Sequence, residues 1–559
     1  MTVAELIIQG LEREGVEYVF GVPGEETQDL LFALESSQIK FIPTRHEQGA
    51  AFMADAYGRS TGKAGVCLAT LGPGATNLVT GIADAFLDKV PLVAITAQGS
   101  SARVHKESHQ VLDIIGMLKP ITKWNASIQN PRTAGEVVRK AFKIAQSEKP
   151  GPTHIELPED IAAMVAPGEA LAPVSPRRSA PDHQAIRAAV ELLKNAQAPV
   201  ILAGNGAIRK RANRQLRKFV EQTDIPVIST FMGKGAIDDR DRHSLYTIGI
   251  QGRDFQMCAM ERADLILAIG YDIGEYEPNK WNPTGDKPIV HIDFEPAEVN
   301  EHYQAKVEII ADISASIREL CSEASTHSLV FHPTWFSGLR EEILSDHASY
   351  ALKVDDPFTV PGSLQIIREF MRPGDIMLSD VGSHKMWIGR NFPVYEPNST
   401  FISNGLATMG IALPGGIGAK LAHPDRRVVT AMGDGGFLMN VQEIETAKRL
   451  GLGFPIIVFN DNDYGLIRWK QTSTAGKHFG TSLTNPDFVK LAESFDIAGY
   501  IPSTLTELRE VLKHVIEEQE LSIVEISIDP RVNNELTEKL GRNICEMFEF
   551  PELNKRGES

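Results

Sequence analysis

The stretch with the most chemistry in it is Met432-Gly433-Asp434-Gly435-Gly436-Phe437-Leu438-Met439-Asn440, which follows an apolar run, Val428 to Ala431, and precedes a helical pattern from Val441 to Leu450. A glycine turn at the carboxyl end of a parallel strand aims backbone N–H groups and the next helix's N-terminus at an anion, and Asp434 adds a hard oxygen ligand. A second apolar run, Phe454 to Phe459, ends in Asn460-Asp461-Asn462-Asp463-Tyr464-Gly465. Asp461 follows Asp434 by 27 residues, the length of a strand–loop–helix–strand unit that returns a second carboxylate to the same sheet edge. Asn460 or Asn462 would serve if the register slipped, and the spacing favours Asp461. Magnesium usually takes one or two carboxylates plus phosphate oxygens, so Asp434 and Asp461, with Asp463 or a nearby carbonyl as a third donor, suit a metal-bound diphosphate. Either motif alone also fits an ordinary tight or acidic turn; the pair at this spacing is what points to a site.

Such turns need parallel sheets behind them, and the chain reads as three. Short apolar runs (Tyr18-Val-Phe, Val66-Cys-Leu-Ala-Thr, Pro91-Leu-Val-Ala-Ile-Thr) alternate with helical patterns (Thr27 to Glu35, Thr76 to Leu87), the signature of βαβ units. Ala172 to Asp182 is rich in Pro, Ser, Arg and Ala and reads as a linker. A second α/β pattern follows, with strand candidates Pro199-Val-Ile-Leu-Ala, Ile225-Pro-Val-Ile-Ser, Ala263 to Ile269 and Pro288-Ile-Val-His-Ile. Its Gly204-Asn205-Gly206 turn is too generic to imply a nucleotide. The third begins with a helix, Gly362 to Met371, and a strand, Asp375-Ile-Met-Leu-Ser. The expected fold class is α/β in three domains, 1–168, 186–345 and 357–545, each a parallel sheet flanked by helices, with the first and third as the same architecture used twice. The polar tail from Phe548 to Ser559 reads as frayed.

Composition narrows the partners. In 559 residues, 56 Lys and Arg stand against 73 Asp and Glu, a formal net charge of −17, which argues against nucleic acid because phosphate binding needs a basic face. Residues are 42% hydrophobic and 23% charged, the balance of a globular protein, and no apolar run approaches a membrane span. Cys67, Cys258, Cys321 and Cys545 lie far apart, so neither a zinc site nor a disulfide framework is expected, and a reducing, cytoplasmic setting is. The first residues read as an amphipathic helix, since Glu12, Arg13 and Glu14 interrupt any signal-peptide core.

Gly433-Asp434-Gly435-Gly436 followed by the Asn460-Asp461 pair resembles the diphosphate-binding motif of the thiamine diphosphate (ThDP)-dependent 2-oxo acid enzymes, which carry pyrimidine-binding, central and diphosphate-binding domains in the order of the three segments here. The resemblance implies ThDP and Mg2+ as cofactors, with Tyr464, Gly465, Leu466 and Ile467 beside the diphosphate. It makes Glu47, in Pro43-Thr-Arg-His-Glu-Gln-Gly-Ala-Ala-Phe-Met-Ala, the proton-relay residue that hydrogen-bonds the aminopyrimidine ring; on its own, Glu47 is equally a first-turn helix residue favoured by the macrodipole. It makes Met409, in Ser403-Asn-Gly-Leu-Ala-Thr-Met-Gly, the apolar wedge under the bent cofactor, and the Ala407 carbonyl an acceptor for the ring's amino group. In Asp380-Val-Gly-Ser-His-Lys-Met-Trp it places Gly382, Ser383 and His384 beside the diphosphate, and Leu71-Gly-Pro-Gly-Ala-Thr-Asn is a further glycine turn leading into a helix. Gln110 and His109 are implied beside the reacting carbons.

Within the family the chain resembles the acetolactate synthases, more the catabolic, FAD-independent type than the biosynthetic one. Arg45-His-Glu-Gln-Gly-Ala-Ala-Phe-Met-Ala, Ser108-His-Gln-Val-Leu-Asp with Pro120-Ile-Thr-Lys, and Ile269-Gly-Tyr-Asp-Ile-Gly-Glu-Tyr-Glu-Pro-Asn-Lys-Trp-Asn carry that resemblance. Where the biosynthetic enzymes place an Arg-containing segment, this chain has Tyr271, Glu275 and Tyr276; where they place a tryptophan, it has Lys470, one residue from Trp469. Thr230-Phe-Met-Gly-Lys-Gly resembles a flavin-touching segment, so FAD stays open and is disfavoured. The implied reaction decarboxylates pyruvate and joins it to a second pyruvate, forming 2-acetolactate and CO2, in a homodimer or homotetramer with the active site at a subunit interface. The alternatives are a ThDP-dependent decarboxylase releasing an aldehyde, and an FAD-containing acetohydroxyacid synthase or oxidase. Decarboxylases bring paired histidines, and His109 has no adjacent partner. A nicotinamide-dependent oxidoreductase is disfavoured because no GxGxxG follows a strand with an acidic residue about 20 positions on. A catalytically silent subunit would have no need of Glu47.

Overall fold

Eighteen strands, assembled in parallel pairs, form three six-stranded sheets in a computed structural model that describes every residue except 175–177, 210, 250–253, 333, 542–543 and 548–559. Part of the expected linker and the polar tail lie outside the described residues. The first sheet holds β1 (Tyr18–Gly21), β2 (Lys40–Pro43), β3 (Gly65–Ala69), β4 (Leu92–Gln98), β5 (Trp124–Ser127) and β6 (Pro152–Pro158). The central sheet holds β7 (Pro199–Ala203), β8 (Val227–Ser229), β9 (Ser244–Thr247), β10 (Leu265–Ile269), β11 (Ile289–Asp293) and β12 (Ala305–Ile310). The third holds β13 (Ile376–Ser379), β14 (Thr400–Ile402), β15 (Val428–Gly433), β16 (Pro455–Asn460), β17 (Ala498–Tyr500) and β18 (Ser522–Ser527). The inner strands β3, β4, β7 and β10 are buried along their whole length, as apolar runs covered by helices on both faces must be. An α/β fold of three helix-flanked parallel sheets is what the sequence led us to expect.

Strand order separates the domains into two kinds. The first sheet runs β2-β1-β3-β4-β6-β5 and the third β14-β13-β15-β16-β18-β17, the same topology twice. The central sheet runs β12-β11-β10-β7-β8-β9, a doubly wound order whose switch point lies between β7 and β10. The first and third domains pack directly. A Cβ on Gly418, in the helix Ala412–Ala422, would stand 2.2 Å from the Met53 carbonyl of the helix Glu47–Thr61, so only glycine permits the approach. Beside that contact Arg59 pairs with Asp84 at 2.9 Å and Asp88 at 2.7 Å, while Thr408 donates to Asp84 at 2.8 Å from the third domain.

One expectation is corrected. Cys258 and Cys545, 287 residues apart, form a disulfide, so the chain does carry a covalent cross-link. The helix Phe255–Arg262 of the central domain and the turn Ile544–Met547 near the C-terminus meet only in the folded molecule, a proximity that sequence spacing does not encode. Cys67 and Cys321 are free and buried. Among the described residues no helix is long and apolar enough to cross a membrane.

Candidate active site

The third sheet brings the two acidic turns together because its register leaves it no alternative. β15 pairs in parallel with β16, Gly433 opposite Phe459, so the residues after each strand emerge side by side at the carboxyl edge. There a cavity of about 220 Å³ is lined by Gly382, Ser383, His384, Ala407, Met409, Gly433, Asp434, Gly435, Gly436, Asp461, Asp463, Tyr464, Gly465, Leu466 and Ile467, with Val381, Phe459 and Ile528 completing the wall. The residues singled out for cofactor and metal thus converge on one hollow. The helices Ser383–Asn391 and Gly465–Ala475 both begin on it, presenting unpaired N–H groups and the positive ends of their dipoles. A side chain at Gly465 would stand 2.4 Å from Asp461 Oδ2, and at Gly435 2.9 Å from the Tyr464 ring, so these glycines keep the hollow open. Ala407 holds φ +57°, a left-handed conformation costly for a residue with a Cβ and characteristic of functional sites.

The electrostatics suit a cation bridging to an anion. Burial, with Asp434 and Asp463 adding to it, pushes the Asp461 carboxyl up to about 7, and its Oδ2 is buried without a hydrogen-bond partner among the described residues. Asp463 is in the same position with Oδ1, while its Oδ2 pairs with Arg468 at 3.0 Å. Burial also raises Asp434, whose Oδ2 accepts from Asn485 Nδ2 at 2.7 Å. A divalent ion would relieve this crowding of carboxylates. Among the described residues no group of three or more His, Cys, Asp and Glu side chains forms a metal cage, so an ion here would draw further oxygens from carbonyl and phosphate groups, as magnesium does. Burial lowers His384 to about 4, leaving it a neutral imidazole with Nε2 unpartnered among the described residues. The donor set fits a metal-bound diphosphate.

Two residues that sequence reasoning passed over hold this edge in shape. Asp380, fully buried and pushed up to about 7 by that burial, accepts from Val381 N at 2.7 Å and Gly410 N at 2.8 Å, tying the end of β13 to the Ala407–Met409 segment. It stood inside a quoted motif, and its apolar lead-in was the available signal. Asn485 donates to Asp434, to Asn460 Oδ1 at 3.1 Å and to Asn462 Oδ1 at 3.2 Å, knitting the two turns; nothing in its surroundings announces it.

The first-domain candidates lie elsewhere. Glu47 opens the helix Glu47–Thr61, is buried, and accepts from Asn77 Nδ2 at 2.9 Å. His109 and Gln110 are exposed on the loop after β4, where Gln110 has φ +59° and its carbonyl lies 3.0 Å from the Cβ position of Gly72. None of the three lines the third-domain cavity. Instead Arg45 N and His46 N, immediately before Glu47, donate to the buried Glu443 of the third domain at 3.0 and 3.1 Å. One chain therefore carries two separate half-sites.

The central domain's turn has a different fate. Glu275 is buried against Gly204-Asn205-Gly206, accepting from Asn205 N at 3.0 Å, from Asp272 N at 3.1 Å and from the Thr230 hydroxyl. Burial, then Asp272, raises its carboxyl to about 8. Lys234, in the flavin-like segment, is spent on Thr247 Oγ1 and the Gly389 carbonyl, both at 3.0 Å. Tyr271 donates inward to the Tyr276 carbonyl, and Trp469 Nε1 donates to Thr537 Oγ1 at 2.6 Å, while Lys470 is exposed.

Comparison with known proteins agrees with this geometry. Residues 1–117 match the N-terminal TPP binding domain of thiamine pyrophosphate enzymes, 186–320 the central domain and 380–526 the C-terminal TPP binding domain. The chain is 34% identical to an acetolactate synthase of Bacillus subtilis (strain 168) over 562 residues, covering 98% of this chain and 97% of the relative. It is 35% identical to a probable acetolactate synthase large subunit of Methanocaldococcus jannaschii over 94% of this chain and 92% of the relative. It is also 31% identical to a mitochondrial acetolactate synthase catalytic subunit of Aspergillus candidus over 95% and 81%. With the three domains matched in order and these relatives aligned from end to end, the chain belongs to the acetolactate synthases of the thiamine pyrophosphate enzyme family.

Proposed function

We propose that this protein is a carboligase that decarboxylates pyruvate and condenses it with a second pyruvate to form 2-acetolactate and CO2, using ThDP held through Mg2+. The observation that carries the reading is the third-domain cavity, where two strand-end turns, two helix N-termini and an unpartnered buried carboxylate face one small space. The names of the full-length relatives support the substrate. When bound, ThDP supplies the carbon nucleophile and the electron sink.

The residues divide the remaining work. Asp434, Asp461 and a donor at Asp463 hold the ion; Ser383 and His384 with the adjoining helix N-termini hold the diphosphate. Met409 and the Ala407 carbonyl set the bend and orientation of the ring, and Leu466, Ile467 and Ile528 keep water from the reacting carbons. Asn77 engages Glu47 Oε2, which leaves Oε1 to hold and pass a proton. Gln110 and His109 flank the reacting carbons. Because Glu47, His109 and Gln110 do not line the cavity of their own chain, we assign the complete site to a subunit interface, in a homodimer or homotetramer. We further divide the chain at 1–168, 186–345 and 357–545, and assign it to the FAD-independent type, since Glu275 fills the central turn and Trp469 is committed to Thr537. A cytoplasmic location belongs to the same reading.

The test is to incubate the purified protein with pyruvate, ThDP and Mg2+ and to follow products by NMR before and after acidification. Acetolactate that turns to acetoin on acidification is the expected result; acetaldehyde as the sole product would make the protein a decarboxylase.

A further inference from the structure

Where the three domains meet, on the opposite edge of the first sheet from Glu47, lies a cavity of about 290 Å³. Its walls come from Pro91 and Pro150, which precede β4 and β6, from Asn398 and Thr400 at the start of β14, and from the central-domain loops bearing Asn205, Arg209 and Met232. It shares no residue with the cavity at the carboxyl edge of the third sheet. The Asn205 side chain donates to the Asp88 carbonyl at 2.9 Å and fixes the first domain to the central one along this wall.

The polar atoms facing this space are unevenly satisfied. Arg59 is consumed by Asp55, Asp84 and Asp88. Arg209 is not: Nη2 pairs with Glu148 at 3.0 Å, but Nε and Nη1, both buried, have no hydrogen-bond partner among the described residues. Ser60 Oγ and Thr400 Oγ1, two more lining atoms, are buried and likewise without a partner. Leaving such groups unmet costs about 1–3 kcal/mol each, so four in one hollow call for something that satisfies them. The rest of the wall is apolar, with Val90, Met232, Phe401 and Ile402.

We propose that this junction is a second binding site, for a small aliphatic carboxylate. Its carboxylate accepts from Arg209 and from the hydroxyls of Ser60 and Thr400, and its hydrocarbon end lies against Met232, Phe401 and Ile402. The size sets an upper bound: the hollow spans roughly ten water volumes, room for a short-chain acid and not for a dinucleotide. Water alone would satisfy the polar atoms and leave the apolar wall wet, which is why an amphiphilic anion fits better.

The probe is isovalerate, with isoamyl alcohol as its uncharged counterpart, titrated against the ThDP- and Mg2+-loaded enzyme by saturation-transfer NMR. Saturable isovalerate binding is expected and the alcohol is expected to bind at least about tenfold more weakly, the loss of a charge-assisted hydrogen bond. Arg209→Gln should weaken isovalerate about tenfold. Thr400→Val removes a hydroxyl without changing shape and without disturbing the Arg209–Glu148 pair, and should weaken it roughly fivefold while turnover of pyruvate stays unchanged. No saturable binding up to the order of tens of millimolar, or binding that neither variant alters, would overturn the assignment; the latter would place the probe in the pyruvate site or on the surface.

Discussion

Two glycine turns in this molecule sit at the carboxyl ends of buried parallel strands, Gly204-Asn205-Gly206 after β7 and Gly433-Asp434-Gly435 after β15, and they have been put to opposite uses. In the central domain the backbone donors are met from within, by the Glu275 carboxylate. In the third domain no internal carboxylate takes that place; the turn borders an open cavity, and a second strand end brings Asp461 with an unpartnered oxygen. The lesson is that a strand-end turn is an anion site only when the fold leaves it unfilled, and that the residue deciding the matter lies on another strand, at position 275 in one case and 461 in the other.

The comparison is sharpened first at the residue that neither turn supplies. Glu47→Gln should lower turnover about 10²–10⁴-fold, the usual weight of a proton-transfer group, while ThDP still binds; steady-state rates beside a cofactor titration separate the two. Asp434→Ala attacks the open turn itself and should weaken Mg2+ and ThDP together by roughly a hundredfold, read by calorimetry. Asn485→Ala leaves both acids in place but unties the two turns, and a loss of about tenfold in Mg2+ affinity is expected. Glu275→Ala breaks the closed turn. It strands the Asn205 and Asp272 N–H groups and should cost about 2 kcal/mol of stability in chemical denaturation, with cofactor affinity nearly unchanged.

The smallest effect is one of pH. Glu275 holds its proton to about 8 in the folded protein, well above an ordinary glutamate, so between those values the unfolded chain has released a proton that the folded one keeps. Stability from this group is therefore present at low pH and lost as pH rises to about 8. Glu275→Gln mimics the protonated acid: its carbonyl accepts from the two N–H groups and its amide donates to Thr230. The variant should match wild type near pH 5 and exceed it near pH 9 in thermal unfolding, and a constant difference across that range would show that Glu275 does not titrate there.

The sequence was most legible where chemistry and topology coincide. Gly433, Asp434, Asp461 and Gly465 follow apolar strands at a spacing that one βαβ unit enforces, so their convergence was readable from the chain alone. Gly382, His384, Ala407 and Met409 needed the family resemblance, because nothing in their spacing says that β13 and β15 are neighbours. What stayed hidden depends on chain segments brought together by packing. Glu275 reads as one acidic residue among several until β10 is set beside β7, and Asn485 sits in a loop with no periodicity. Cys258 and Cys545 are separated by half the chain, so their disulfide follows from the docking of the C-terminal turn on the central domain.

The contrast between the two turns is tested most directly by asking what the purified protein holds. After incubation with ThDP, Mg2+ and FAD together and removal of free ligand, the protein is denatured and the released cofactors are quantified by absorbance and mass spectrometry. One ThDP per chain and no flavin is the predicted result, a filled central turn and an open third one. Stoichiometric FAD would contradict it, because the central turn would then have released Glu275 to admit a dinucleotide.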